Sequence, residues 1–454
     1  MDVRLTVTRD AAGVFFRARG VNDAYMWQLA NFDNAPGLRP HVRVGGNWQL
    51  LKQVSIADVV AQADFGKPHN LRIEAAGTTI KTFVDGALVD TTVDSRRMSG
   101  TIGLRTSNAE SAVFHSVRLT VAGKTEVDAD RAGGTNPFTA GTPTPQGLAV
   151  SGSTEALLAD PAGKPLLRRE FSVDRKVSRA RIYATALGVY EFSLNGSRVG
   201  DHQLAPGWTD YAKRIQYQTF DVIDQLVAGD NTIGAMLGDG WYSGSVGWFG
   251  DKLYGERPEL LAELRIDYAD GTSQTIGSDG TWRTADGPVL RGDNIHGETY
   301  DARLDPSGWR QPAFDDAGWS AATVRNTATD DPTKRLVAQI DLPVKVTEEL
   351  RAKTVTQPRP GVWVFDLGQN MVGATRLRVA GDAGQTVRIR HAEVLNPDGT
   401  VYTANLRTAQ ATDYYTLAGK GAEVYEPRFT FHGFRYVELT GFPGVPELSA
   451  VTGR

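Results

Sequence analysis

The chain contains no cysteine, which excludes a disulfide framework, thiol nucleophiles and cysteine-ligated zinc. It has no block of Lys or Arg and no low-complexity tail, and 49 basic residues against 53 acidic ones leave a formal charge of −4. That balance gives no electrostatic footprint for nucleic acid or for an anionic membrane surface. No apolar run approaches the ~20 residues that a membrane-spanning helix requires. The first residues, Met1-Asp2-Val3-Arg4-Leu5-Thr6-Val7, already alternate like a strand and carry no signal-peptide pattern. A cytoplasmic protein fits this start, as does an exported one whose leader has been removed; the second is slightly favoured. Also missing are a Gly-x-Ser-x-Gly elbow, a P-loop, a His-Glu-x-x-His pair and a dinucleotide fingerprint. The seven histidines, at 41, 69, 115, 202, 296, 391 and 432, show no metal-ligand spacing and read as ordinary surface or core histidines.

Glycine, at 49 residues, and aromatics, with 9 Trp and 14 Tyr, are abundant. Such a composition suits many short strands and tight turns, and aromatics also serve as platforms for sugar rings, although most fill cores. A length of 454 residues suits about three domains at ~150 residues each. The expected fold is all-β, with three consecutive antiparallel β-sandwich or jelly-roll modules. Residues 1–123 alternate almost throughout, with a type I′ turn expected at Asp85-Gly86 and only Ile56 to Phe65 briefly helical. Residues 124–164 form a Gly/Pro/Thr-rich linker with first strands. A second sandwich is expected over 165–332, with the Asn195-Gly196 turn as its strongest hairpin signal, and a third over 333–454.

Three groups of residues could carry chemistry. Asp293, His296, Glu298, Asp301 and Arg303 form the densest charged cluster. It reads either as a polar rim or as a turn held by carboxylate–guanidinium pairs, and the turn is preferred. The loops Pro206-Gly207-Trp208-Thr209-Asp210-Tyr211 and Gly238-Asp239-Gly240-Trp241-Tyr242 place rings on sharply turned backbone, either as stacking platforms or as plugs beneath the loop. In the first module, Asn22-Asp23 and Asp33-Asn34 put hard oxygens on loops, where calcium seeks them.

Several stretches resemble the bacterial α-L-rhamnosidases. They include Pro165 to Phe171, Ala186-Leu187-Gly188-Val189-Tyr190-Glu191, Gly297-Glu298-Thr299-Tyr300-Asp301-Ala302-Arg303, Phe365-Asp366-Leu367-Gly368-Gln369-Asn370, His391-Ala392-Glu393-Val394-Leu395 and Tyr425 through Val437. The resemblance implies an N-terminal β-sandwich and a concanavalin-like β-sandwich that precede a helical-barrel catalytic domain. No stretch matches the family's catalytic motif, so the catalytic residues and the barrel are expected to lie outside this chain, as in a fragment cut at both ends.

The first module, through Val14-Phe15-Phe16-Arg17-Ala18 and Ala24-Tyr25-Met26-Trp27-Gln28-Leu29, resembles a rhamnose-binding, calcium-containing jelly roll. That likeness implies Ca²⁺ held by Asp33 and Asn34, with Arg17 and Trp48 beside the sugar and Asn22-Asp23 as a rival pair. The expected role is a non-catalytic portion that binds L-rhamnose-containing glycans and docks the barrel, with no nucleic-acid or membrane partner. Two alternatives stand against it: a scaffold that binds no sugar, and an autonomous glycosidase using the 290–303 polar loop.

Overall fold

Apolar residues at every second position bury one face of each strand, and this alternation organises the molecule. In Asp2–Arg9, for example, Val3, Leu5 and Val7 are buried while their neighbours face solvent wholly or in part. The computed structural model describes residues 1–454 except 21–22, 33–34, 45–46, 98–99, 122–123, 131–137, 139, 159–162, 248, 251, 328–330 and 408. The described residues form six sheets, and α-helix among them is confined to the single turn Gly240–Ser243.

The first sandwich pairs an eight-stranded sheet with a seven-stranded one. At the centre of the first sheet, Asp2–Arg9 lies between Ser111–Val121 and His69–Ala76. The second runs Thr154–Leu157, Thr101–Thr106, Ala11–Gly20, Asp23–Phe32, Ala35–Val44, Asn47–Leu50. Between the sheets, Trp27 is fully buried and its indole N–H donates to Thr82 Oγ1 at 2.8 Å. The segment read as linker and first strands contributes to both sheets. Gly147–Ser151 pairs with Ser111–Val121, and Thr154–Leu157 pairs with Thr101–Thr106. Its apolar residues Leu148, Val150 and Ala156 alternate into the core of the first sandwich. The two expected hairpins are present. Asp85 and Gly86 have φ of 46° and 87°, and Asn195 and Gly196 have 50° and 81°, the double left-handed geometry of a type I′ turn.

The second sandwich is built around Pro165–Val173 and Gly229–Gly238 in one sheet, and around Val177–Leu187 and Glu259–Tyr268 in the other. The third is built around Thr386–Ala392, His432–Thr440 and Val362–Gly373. These two modules share strands. The hairpin of Val289–Asp293 and Gly297–Asp301 follows second-sandwich strands in the chain but joins the third sandwich's seven-stranded sheet, where Thr299 pairs in parallel with Tyr414. A later segment crosses back, and Leu336 pairs in parallel with Ile215 of the second sandwich.

A single apolar cluster therefore joins Leu166, Val189 and Met236 of the second module to Phe365, Leu377 and Phe429 of the third. Phe429 fits because Gly238 and Gly292 lack a side chain; a Cβ at either position would come within 2.5 and 2.9 Å of it. Removing a buried aromatic ring costs about 3–5 kcal/mol. Phe429→Ala is therefore expected to lower the unfolding free energy from urea denaturation by an amount in that range, and a loss under about 1 kcal/mol would contradict the shared core.

Candidate functional site

Of the expected sugar-site residues in the first sandwich, Arg17 and Trp48 are described. Asp33 and Asn34 lie outside the described residues. They fall between Phe32 and Ala35, which pair with each other. The strand that begins at Ala35 runs to Val44, and Trp48 pairs with Arg43 near its far end. At 3.3 Å per residue the distance from Ala35 to Arg43 is roughly 26 Å.

Arg17 belongs to the Trp48 end, since Phe15, two residues before it, stacks on Trp48 with centroids 6.1 Å apart. Arg17 adopts φ 48°, and its Nη1 donates to Arg97 O at 3.1 Å. The Trp48 ring also carries the Arg43 and Arg105 guanidiniums at 4.8 and 5.4 Å, and His41 meets it edge-on at 5.9 Å. Trp48 is half-buried among these neighbours. Of the rival pair, Asn22 lies outside the described residues, while Asp23 opens a strand opposite Gly20, at the Arg17 end.

Next to Asp33 and Asn34 the sequence reading missed one group. Asn31 Oδ1 is buried and has no hydrogen-bond partner among the described residues. Its backbone N–H donates to Asp10 O at 2.8 Å, which fixes the strand end in place.

The 290–303 cluster is an interior polar centre. Glu298 has no exposed surface. Its Oε1 accepts from Tyr425 Oη at 3.0 Å, and its Oε2 accepts from the backbone N–H groups of Arg428 and Phe429, each at 3.0 Å. Burial pushes its carboxyl up to about 7, against the pull of the Arg428 guanidinium and the two N–H donors. Asp293 accepts from the N–H of Ser245, Ile295 and His296, all at 2.8 Å. Asp301 accepts from the Arg303 guanidinium at 2.9 and 2.6 Å. The carboxylate–guanidinium reading thus holds for Asp301, while Asp293 and Glu298 serve the backbone instead.

Beside this centre lie His391, Asp413 and His432, whose ligand-capable atoms are all within 4.8 Å of one another. Scattered in sequence, the two histidines stack with centroids 4.1 Å apart. His432 Nε2 lies 3.1 and 3.2 Å from the two Asp413 oxygens. His391 bonds Thr375 Oγ1 at 2.9 Å and Ala411 O at 3.0 Å. These bonds use the donors and acceptors that a metal would need, so the group is a self-satisfied buried network. Its signal in the sequence was the register: Val387, Ile389 and His391 alternate on the buried face of one strand. Of the two aromatic loops, the first leaves Trp208 54% exposed, while Tyr211 and Tyr242 are buried against each other at 5.3 Å.

Residues 175–348 match the α-L-rhamnosidase N-terminal domain, and residues 356–454 match the bacterial α-L-rhamnosidase concanavalin-like domain. The second and third sandwiches belong to the α-L-rhamnosidase family. A curated α-L-rhamnosidase of Streptomyces avermitilis is 62% identical over 289 residues, covering 63% of this chain and 28% of that protein. One from Formosa agariphila is 41% identical over 300 residues, covering 64% of this chain and 31% of that protein.

Among solved structures, the S. avermitilis α-L-rhamnosidase complexed with L-rhamnose aligns with all of this chain and 41% of its own, at 41% identity and a TM-score of 0.64. The Aspergillus terreus α-L-rhamnosidase aligns with 99% of this chain and 48% of its own, at 31% identity and a TM-score of 0.60. The chain thus spans less than a third of the length of these curated rhamnosidases and less than half of the solved ones.

The buried carboxyl at Glu298 has a pH signature. Its folded-state pKa lies above the ordinary glutamate value, so the stability it supports is complete below about 4.5 and is lost as pH rises to about 7. The loss should approach about 3 kcal/mol. In Glu298→Gln, whose amide oxygen can still accept from the N–H groups of Arg428 and Phe429 while its NH2 donates to Tyr425 Oη, nothing ionises, and that component should vanish. Urea midpoints of the two proteins should diverge in favour of the variant above pH 7, and parallel profiles from pH 4.5 to 8 would refute the assignment.

Proposed function

We propose that this chain is the non-catalytic, L-rhamnose-binding portion of an α-L-rhamnosidase, and that the first sandwich holds a terminal L-rhamnose through Ca²⁺ at Asp33 and Asn34. The observation that carries this reading is the buried, unpartnered Asn31 Oδ1, two positions before Asp33. Asp33, Asn34 and Asn31 together offer a carboxylate and two amide oxygens, the hard donor set that calcium takes from loops. Bound there, calcium would accept two adjacent sugar hydroxyls into its coordination shell. Support for the sugar comes from the S. avermitilis α-L-rhamnosidase structure, which is complexed with L-rhamnose and aligns over this whole chain.

Arg17 and Trp48, the other residues that the resemblance sets beside the sugar, would contact it away from the calcium. They lie toward the other end of the strand from the residues that flank Asp33 and Asn34, where Phe15 and two guanidiniums also approach the half-buried Trp48 ring.

Support for a non-catalytic role comes from the 290–303 cluster. A glycosidase needs two carboxyls facing one glycosidic bond across a sugar-sized cleft. Asp293, Glu298 and Asp301 are each at most 5% exposed and bonded to backbone or to Arg303. Hydrolysis of terminal α-L-rhamnosides would fall to a helical-barrel domain outside this chain, docked on the second and third sandwiches.

Calorimetric titration with L-rhamnose tests the site. Heat of binding is expected in calcium and should disappear in excess EDTA. Asp33→Ala should abolish binding while leaving the unfolding free energy from urea denaturation within about 0.5 kcal/mol of the wild type. Binding that survives both EDTA and Asp33→Ala would refute the site, and absence of heat in calcium would leave the three sandwiches as scaffold.

A further inference from the structure

On the outward face of the second sandwich Arg179, Arg181 and Arg265 stand together, with Asp221, Glu263 and Asp267 at neighbouring ladder positions. On Val177–Leu187, the side chains of Ala180, Ile182 and Ala184 enter the core, so Arg179, Arg181 and Tyr183 point the other way. The neighbouring strand sets Asp267 opposite Arg179, Arg265 opposite Arg181 and Glu263 opposite Tyr183. Two guanidiniums therefore face each other directly across a ladder, a placement that like charges disfavour. Neither Arg179 nor Arg181 makes an ion pair or side-chain hydrogen bond with the described residues.

Arg265 Nε is held by Asp267 Oδ1 at 3.1 Å. Asp221, opposite Arg181 on the other side, accepts instead from the N–H of Ile223 at 3.2 Å. Between these side chains lies a cavity of about 170 Å³, lined by Arg179, Arg181, Tyr183, Arg265 and Asp267. At its edge Tyr217 meets Tyr183 edge-on, with centroids 6.4 Å apart.

We infer that this cavity binds an oxyanion carried on a glycan, a uronate carboxylate or a sulfate ester. The planar forks of Arg179 and Arg181 are free to grip such a group with paired N–H donors. Arg265, already fixed by Asp267, adds a third positive charge. The half-buried rings of Tyr183 and Tyr217 give the attached sugar an apolar surface. The cavity wall itself sets three arginines against Asp267 alone, with Asp221 and Glu263 outside its lining, which favours an anion over a neutral sugar. The anion site is independent of calcium and of the first sandwich; only the choice of a glycan as carrier rests on the rhamnosidase reading.

The test is affinity electrophoresis of the full chain in native gels holding polygalacturonate, dextran sulfate or neutral dextran, together with calorimetric titration of inorganic sulfate at low ionic strength. Retardation by a charged polymer but not by dextran is expected, unaffected by EDTA or L-rhamnose. Arg179→Ala and Arg181→Ala should each weaken it roughly tenfold, while Arg378→Ala, an exposed arginine of the third sandwich, should leave it unchanged. Retardation by one charged polymer alone identifies the group as carboxylate or as sulfate ester.

Binding of free sulfate that depends on both arginines, with no polymer retardation, would keep the anion site but overturn the glycan. Equal retardation of wild type and the Arg179→Ala/Arg181→Ala double variant, or no response to any anion, would overturn the site itself. Because the altered side chains lie on a solvent-facing surface, an unchanged urea midpoint in the double variant confirms that a loss of binding is not a loss of fold.

Discussion

Glu298 has its carboxyl inside the protein and its strand contributed by one module to the sheet of another. Its oxygens hold Tyr425 and the N–H groups of Arg428 and Phe429, so a strand from the second sandwich satisfies buried donors of the third. An unpaired buried donor costs about 1–3 kcal/mol, and three are at stake at one side chain. Phe429, seated between Gly238 and Gly292, and the parallel ladder from Thr299 to Tyr414 depend on that junction being closed. The two rhamnosidase domains accordingly form one packed body with a common core.

A second junction ties the first sandwich to the third. Arg43 Nη1 donates to both Glu155 carboxylate oxygens at 2.9 Å, Gln410 Nε2 donates to Glu155 O, and Arg291 Nη1 donates to Gln410 Oε1 at 3.3 Å. Tyr414 of the third sandwich completes the apolar core of the first. Polar chains of this kind fix orientation, because each member has one geometry in which its neighbours are satisfied.

The sequence was most readable where the physics is local. The Asp85-Gly86 and Asn195-Gly196 turns follow from residues that tolerate left-handed backbone, and strand alternation follows from a period of two. What escaped it was long-range. The 124–164 stretch looks like a connector because Gly, Pro and Thr dominate its composition, yet Leu148, Val150 and Ala156 keep a two-residue period that carries it into both sheets of the first sandwich. The 290–303 charges read as a polar rim or a salt-bridged turn because nothing local shows that Tyr425 and Phe429 will close over them. His391 and His432 meet only because their strands are neighbours. Asn31 could have been suspected, as an amide continuing the core-facing series Tyr25, Trp27, Leu29.

The shared hairpin also imposes an order on synthesis. Residues 297–301 leave the ribosome well before Thr412–Thr416, the strand that must lie beside them, and at 5–20 residues per second the interval is on the order of ten seconds. Through that interval the nascent chain carries an unpaired strand edge and a carboxyl-bearing side chain destined for the interior. The charge on Glu298 and its neighbours Asp293, Asp301 and Arg303 keeps that waiting edge hydrated and unattractive to other strands. The same side chains that become the interior polar centre therefore act first as its protection against premature association.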